Sequence, residues 1–293
     1  MSESSSVHVS VMLEEVVHWL DPRDGGLLVD GTLGGGGHSR ALAERIGPGG
    51  RVIALDRDPA AVTAATKTSA GLPIQPVHGN FCDLPEILAE WGVAAVDGVV
   101  LDLGISSDQL ADAARGFSFS SQGPLDLRFD PTRGEPARRL VNRLSPEHLA
   151  DLIYQYGEER YSRRIARAIA ERRRENPIET AADLAELVRR CVPRSRYERI
   201  DPATRTFQAL RIAVNEELKS LEIALRRIPD CLKPGGRFVV ISFHSLEDRR
   251  VKEAFRSDAR LTALTRKPLT PTAAETESNP RSRSAKLRVA ERK

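Results

Sequence analysis

Apolar positions along the first hundred residues follow two alternating rhythms. Short unbroken runs read as buried strands: "LLVDGT" (27–32), "RVIALDRDP" (51–59), "IQPVHGNF" (74–81) and "VDGVVLDLG" (96–104). Between them lie stretches with helical spacing: "HSRALAERIG", with Ala41, Leu42 and Ile46 on one face, then "AAVTAATKTSAG" and the short "LPEILAEWG". Strands alternating with helices predict βαβ units and a parallel sheet.

The alternation breaks at "QLADAARGFSFSSQGPLDLRFDPTRGEPA" (109–137), rich in Gly, Pro and Ser with aromatics among them. A connection that long is functional or disordered rather than idle. From residue 145 to 176 apolar positions return at helical spacing: Leu149, Leu152, Ile153 and Tyr156 form a stripe that Tyr161, Ile165 and Ile169 extend. "TAADLAELVRRCVP" is a further helix, with Thr180 as N-cap and Asp183 three residues later. Asp201 is expected to cap one long helix, with Pro202 at its first position, running to about Ile228. The strand pattern resumes in "KPGGRFVVISFHS" (233–245), and "LEDRRVKEAF" follows as a helix. "LTALTRKPLT" and "AKLRVAER" predict a closing hairpin, and the polar "PTAAETESNPRSRS" between them is expected to be mobile. The expected organisation is an α/β domain in two parts, 1–109 and 206–293, interrupted by a helical insertion at 110–205.

One stretch departs from both rhythms. "DGTLGGGGHS" (30–39) holds four consecutive glycines, costly in backbone entropy, between a strand and a helix. In an α/β sheet this is where a ligand binds, at the carboxyl end of the first strand with the helix N-terminus facing it. Asp56 follows about 20 residues later at the end of the second strand, where an acid accepts hydrogen bonds from ribose hydroxyls. No register fits G-x-G-x-x-G, which disfavours a dinucleotide, and no Lys completes a phosphate loop. The pattern present is D-x-T-x-G-x-G-G, Asp30 to Gly37. An acid ahead of the glycines suits a cationic ligand. S-adenosylmethionine, with an ammonium, a sulfonium and a ribose, meets the demands, and Asp102 ends a further strand. A turn made only for packing is the plainer alternative.

Composition narrows the setting. The 293 residues, 40% of them hydrophobic, suffice for a sizeable core, and no apolar run reaches the roughly 18 residues of a membrane span. The N-terminal stretch lacks a signal-peptide pattern, and Cys82, Cys191 and Cys231 stand too far apart for a zinc motif, so a cytoplasmic protein without a metal site is expected. Charge is unevenly spread. Residues 133–211 carry 18 Arg and no Lys against 12 acids, and residues 249–293 carry 13 basic residues against 5 acids. Two basic regions on an acidic body suggest a polyanionic partner; a solvated surface is the bland alternative.

"DGTLGGGGHSR", "LDRDP", "LDLGISSDQL", "RGFSF", "PLDLRFD", "TFQALRIAVNEEL", "LKPGGRFVVISFHSLEDR" and "NPRSRSAKLR" occur in this order over roughly residues 8 to 291. Together they closely resemble the bacterial family that methylates the exocyclic N4 of a cytidine in the decoding region of 16S ribosomal RNA. That resemblance implies a Rossmann-like class I methyltransferase parallel sheet with an inserted α-helical domain, S-adenosyl-L-methionine as methyl donor, and 16S rRNA, within the small ribosomal subunit, as partner. Carried over residue by residue, it places Gly36, Gly37 and His38 against the methionine moiety, Asp56 on the ribose, Phe81 against the adenine, and Asp102 and Gln109 around the rest of the pocket. His38 read alone could simply cap its helix.

The chemistry is less legible. Many amino-methyltransferases place an Asn/Asp-Pro-Pro-aromatic tetrad after strand four, and this chain has "DLGIS" instead. The candidates for accepting the proton released from N4 are Asp102, Ser106, Ser107 and His244. Phe117 and Phe119 read as stacking partners for a flipped base, or as pins for their loop. Arg160, Arg163, Arg164 and Arg167 fall at helical spacing and read either as a phosphate track or as the face of a homodimer. A methyltransferase acting on another RNA, a protein or a small molecule is the alternative function.

Overall fold

The computed structural model describes residues 10–193 and 201–293. The chain divides into two compact units, Met1–Gly104 with Leu218–Lys293, and Ile105–Glu217.

The first unit opens with α1 (Leu13–Leu20) and then alternates: β1 (Leu27–Asp30), α2 (Gly37–Ile46), β2 (Arg51–Asp56), α3 (Pro59–Thr68), β3 (Ile74–His78), α4 (Leu84–Glu90) and β4 (Val96–Asp102). Strand residues alternate between two cores. Val29, Ile53, Val99 and Leu101 pack on one face of the sheet, whereas Leu28, Val52 and Val100 pack on the other. Burial on both faces is why these strands read as continuous apolar runs rather than alternating ones.

The second unit is helical: α5 (Ser107–Ala111), α6 (Ala137–Arg143), α7 (Pro146–Gly157), α8 (Ser162–Glu175), α9 (Ala181–Cys191) and α10 (Thr204–Asn215). The apolar stripe read across 145–176 belongs to two helices, because Glu158 adopts a left-handed conformation that ends α7. Leu149, Ile153, Ile165 and Ile169 meet in one core with Leu184, Val188, Phe207 and Leu210. Thr180 caps α9, its hydroxyl accepting from Asp183 N–H at 3.1 Å. Phe207 and Leu210 tie α10 to this core, which sets the unit's boundaries at 105 and 217 rather than 110 and 205.

Back in the first unit run α11 (Glu217–Cys231), β5 (Leu232–Ser242), α12 (Ser245–Ser257), β6 (Leu261–Ala263), α13 (Ala273–Ser278) and β7 (Lys286–Arg292). The single helix expected from Asp201 to Ile228 is therefore two. Glu216 sits at φ 49°, and Asp201 caps a turn, its carboxylate accepting from Ala203 N–H at 2.8 Å, before α10 begins at Thr204. The closing hairpin is present as the antiparallel pair β6–β7. The 271–284 segment, expected to be mobile, is instead structured, with Thr272 capping α13, a 3-10 turn at Pro280–Ser284 and Ser282 fully buried.

Among the described residues seven strands lie in the order β3-β2-β1-β4-β5-β7-β6, parallel except for β7, which is antiparallel to both its neighbours. The order reverses at β1/β4. In open α/β sheets the ligand crevice lies there, beyond the carboxyl ends of the strands.

Candidate active site

Asp30, Asp56 and Asp102 close β1, β2 and β4 at that edge. Just beyond β1 the chain must pass very close to its neighbours. A Cβ on Gly31 would stand 2.3 Å from Leu101 Cδ2 and 3.0 Å from Phe81 Cβ. Asp30, 1% exposed, is spent within the chain: Ser39 donates to it at 2.6 Å and Thr32 N–H at 3.1 Å, fixing α2 to the end of β1. The acid that suggested a cationic ligand is thus part of the scaffold. Gly36, at φ 74°, is the N-cap of α2, with Gly37 and His38 its first two residues. His38 is not the cap but a buried side chain, its Nε2 donating to the Val11 carbonyl at 3.0 Å. A carbonyl only accepts, so Nε2 carries the proton, and Nδ1 faces Asp102 Oδ2 at 3.8 Å.

Asp56 holds the loop from the other side, accepting from Gly34 N–H and Asp58 N–H, each at 2.8 Å. Removal from solvent pushes its carboxyl up to about 6, against the pull of those two N–H groups. Asp102 receives no such support. Its backbone N–H donates to Thr32 Oγ1 at 2.7 Å, but its side-chain Oδ1 is buried without a hydrogen-bond partner. Burial pushes this carboxyl up to about 6 also; the nearby His38 opposes the shift, while Asp30 and Glu247 add to it. A buried carboxylate oxygen without a partner, at the carboxyl end of β4, fits a ligand that brings its own positive charge. Phe81, partly buried, opens a 3-10 turn after β3 and packs against the core beside Gly31.

A profile of the MraW methylase family matches residues 5–293. The chain belongs to that family. Two similar proteins, both called ribosomal RNA small subunit methyltransferase H, come from Thermomicrobium roseum and Synechococcus elongatus. The first is 52% identical, with 98% of this chain and 94% of the relative aligned. The second is 55% identical, with 99% and 96% aligned. Among solved structures, a Clostridium thermocellum protein described as a candidate rRNA-methylase superposes with a TM-score of 0.50 at 13% identity, covering 98% of this chain and all of that one, a likeness of fold.

The other residues marked in the sequence of this methylase take structural positions. Ser106 and Gln109 form a capping box at α5, Ser106 Oγ accepting from Gln109 N–H at 3.1 Å and Gln109 Oε1 from Ser106 N–H at 3.2 Å. Both lie in the helical unit, with Ser107 as the first residue of α5. His244 caps α12, its Nδ1 accepting from Glu247 N–H at 3.4 Å. Its Nε2 lies 3.0 Å from Glu247 Oε1 but out of line for a hydrogen bond. Phe117 is buried and stacked on Phe129, and Phe119 meets Phe207 edge-on, so both pin their loop into the helical core. Of the candidate proton acceptors, Asp102 and His244 each retain a buried polar atom without a hydrogen bond.

Sequence reasoning missed Val11 and Glu247. Glu247, 3% exposed, accepts from Phe243 N–H at 2.8 Å and faces Asp102 electrostatically. Its spacing from His244, a cap followed three residues later by an acid, was the available signal. Among the described residues no group of three His, Cys, Asp or Glu side chains could hold a metal ion, and no helix is long and apolar enough to cross a membrane.

Proposed function

We propose that this methylase transfers a methyl group from S-adenosylmethionine to the exocyclic N4 of a cytidine in small-subunit ribosomal RNA. The observation that carries the donor is the buried, unpartnered Asp102 carboxylate oxygen at the end of β4, at the sheet's switch point. Two relatives, aligned over nearly their whole length and named for the small-subunit RNA, support the RNA substrate, and the choice of cytidine N4 rests on the resemblance carried by the sequence motifs.

In this reading the donor's ammonium lies against Asp102, and the backbone of Gly36, Gly37 and His38 lines its methionine moiety. The ribose meets Asp56, whose oxygens each keep an acceptor site beyond the backbone bond they already receive. Phe81 offers its ring to the adenine. The bound donor supplies a methyl on a positive sulfur, a good leaving group. The protein's task is alignment of nucleophile, methyl and sulfur, which a rigid loop held from both sides can perform. In the helical unit α8 buries Ile165, Ala166 and Ile169 and turns Arg163, Arg164 and Arg167 outward, a spacing that suits successive phosphates.

The test uses small ribosomal subunits lacking the modification and donor labelled in the methyl group, with Asp56→Ala beside the native enzyme. The expected result is label on one cytidine N4, lost in the variant. Donor binding without transfer to subunits or free RNA would overturn the substrate and leave the pocket standing.

A further inference from the structure

We infer that residues 10–12 and Glu275 form a strap that sets the donor loop, making Glu275 a positioning residue for methyl-donor binding. The inference rests on the reading of Gly36–His38 as the donor loop.

Three consecutive residues touch that loop or anchor what touches it. Ser10 is buried, and its Oγ lies where a side chain on residue 37 would begin: a Cβ there would be 1.9 Å away. Val11 gives its carbonyl to His38 Nε2 at 3.0 Å, between buried partners. Met12, 1% exposed and in the left-handed region at φ 51°, donates its N–H to Glu275 Oε1 at 2.7 Å, 263 positions along the chain. A bulky residue holds that conformation only where its surroundings dictate it. Glu275 stands in the first turn of α13, its own N–H held by the Thr272 cap at 3.1 Å. The helix α13 buries none of its residues, so apolar packing does not explain its place. Its carboxylate bond ties it to the strap, and the buried Asn279 and Ser282 hold its other end.

The consequence runs through the imidazole. With the Val11 carbonyl in place, a His38 proton is fixed on Nε2, and Nδ1 faces Asp102 Oδ2 at 3.8 Å, too far for a hydrogen bond. Asp102 therefore has no hydrogen bond from His38 and stays open to the donor's ammonium. If Met12 is released, the Val11 carbonyl can withdraw and the proton can move to Nδ1. His38 would then hydrogen-bond Asp102 and compete with the donor. Glu275 thus acts on the donor through Met12, Val11 and His38 without touching it.

The experiment uses the full chain, labelled with nitrogen-15 in histidine, as native protein, Glu275→Ala and Glu275→Gln. Imidazole spectra report the His38 tautomer, and calorimetry reports affinity for S-adenosylmethionine. Expected are an Nε2–H tautomer in the native protein and a mixed tautomer in Glu275→Ala. Donor affinity should fall about tenfold in that variant, the scale of one lost charge-assisted hydrogen bond. Gln keeps an accepting oxygen and should restore both. Native tautomer and affinity in Glu275→Ala would overturn the strap, as would equal losses in the Ala and Gln variants. Should Glu275→Ala fail to fold, Thr272→Ala loosens α13 more gently, and the same two readouts decide. Asp56→Ala separates the premises: affinity lost there but kept in Glu275→Ala sinks only the strap, whereas affinity kept in Asp56→Ala sinks the donor-loop reading.

Discussion

Asp102 carries a carboxyl whose folded-state value, about 6, lies above its ordinary 3.8. Between about pH 4 and 6 the folded protein therefore holds more protons at this site than the unfolded chain, and the site's contribution to stability falls as pH rises through that window. Asp102→Asn keeps the shape without the charge. It should match the ligand-free native protein in stability near pH 4 and exceed it near pH 7, by at most about 3 kcal/mol. Denaturant titrations at the two pH values check this, and equal stabilities throughout would mean that the carboxyl is not held in its neutral form. Donor binding runs the opposite way, since the ammonium prefers the ionised form. Affinity for S-adenosylmethionine should improve about tenfold per pH unit for each carboxyl that must give up its proton, levelling off above pH 6. At Gly37 the limit is space. Gly37→Ala drives a methyl to 1.9 Å from Ser10 Oγ and 3.2 Å from Ser10 Cβ, so the strap must move. A loss of about 1–3 kcal/mol in stability is expected, together with weakened donor binding. Adding Ser10→Ala removes the closer contact and should recover part of both in the same assays; no recovery would show that the clash lies elsewhere.

Elements were legible where burial imposes a period. Four parallel strands and their helices follow from apolar runs buried on both faces, and Asp56 and Asp102 stand at strand ends as their positions in "VIALD" and "VVLDL" implied. The break between α10 and α11 was not legible, because Glu216 takes a left-handed conformation without the glycine that usually announces one. Tertiary bonding holds it. Asn215 Nδ2 donates to the Leu127 carbonyl at 2.7 Å and its Oδ1 accepts from Phe129 N–H at 2.7 Å, pinning the long loop to the end of α10. Asn215→Ala removes both hydrogen bonds and should cost about 1–3 kcal/mol. Hydrogen exchange should speed up first at Phe129, and native protection there would remove Asn215 as the pin. The strap escaped the sequence for a related reason: its contacts run through a main-chain carbonyl and a main-chain N–H, which every residue possesses. The polar 271–284 stretch was read as mobile because its anchors are hydrogen bonds and one buried serine rather than an apolar stripe.

At the scale of the whole chain, charge divides the labour. The sheet unit concentrates carboxylates at one edge, where a small cation is wanted, while the arginines of residues 133–211 crowd a segment that carries no lysine. Several of those arginines are spent internally: Arg189 on Asp201, Arg211 on Glu217 and Arg143 on Glu135. Net charge therefore overstates what is available to a polyanion, and the outward residues of α8 are the informative ones. Arg163, Arg164 and Arg167 are all exposed, and their neighbours Ile165, Ala166 and Ile169 hold the helix by its opposite face, so replacing them leaves its packing intact. If they lie on phosphates, each releases about one counterion on binding, and the logarithm of RNA affinity falls linearly with the logarithm of salt. Changing all three to Gln should lower the magnitude of that slope by about 3 while leaving donor affinity unchanged. An unaltered slope would take α8 off the RNA path. If sedimentation then showed a change in oligomeric state, the same arginines would be the face of a dimer, because a charged helix face in a protein interface alters association between copies and not the salt dependence of RNA binding.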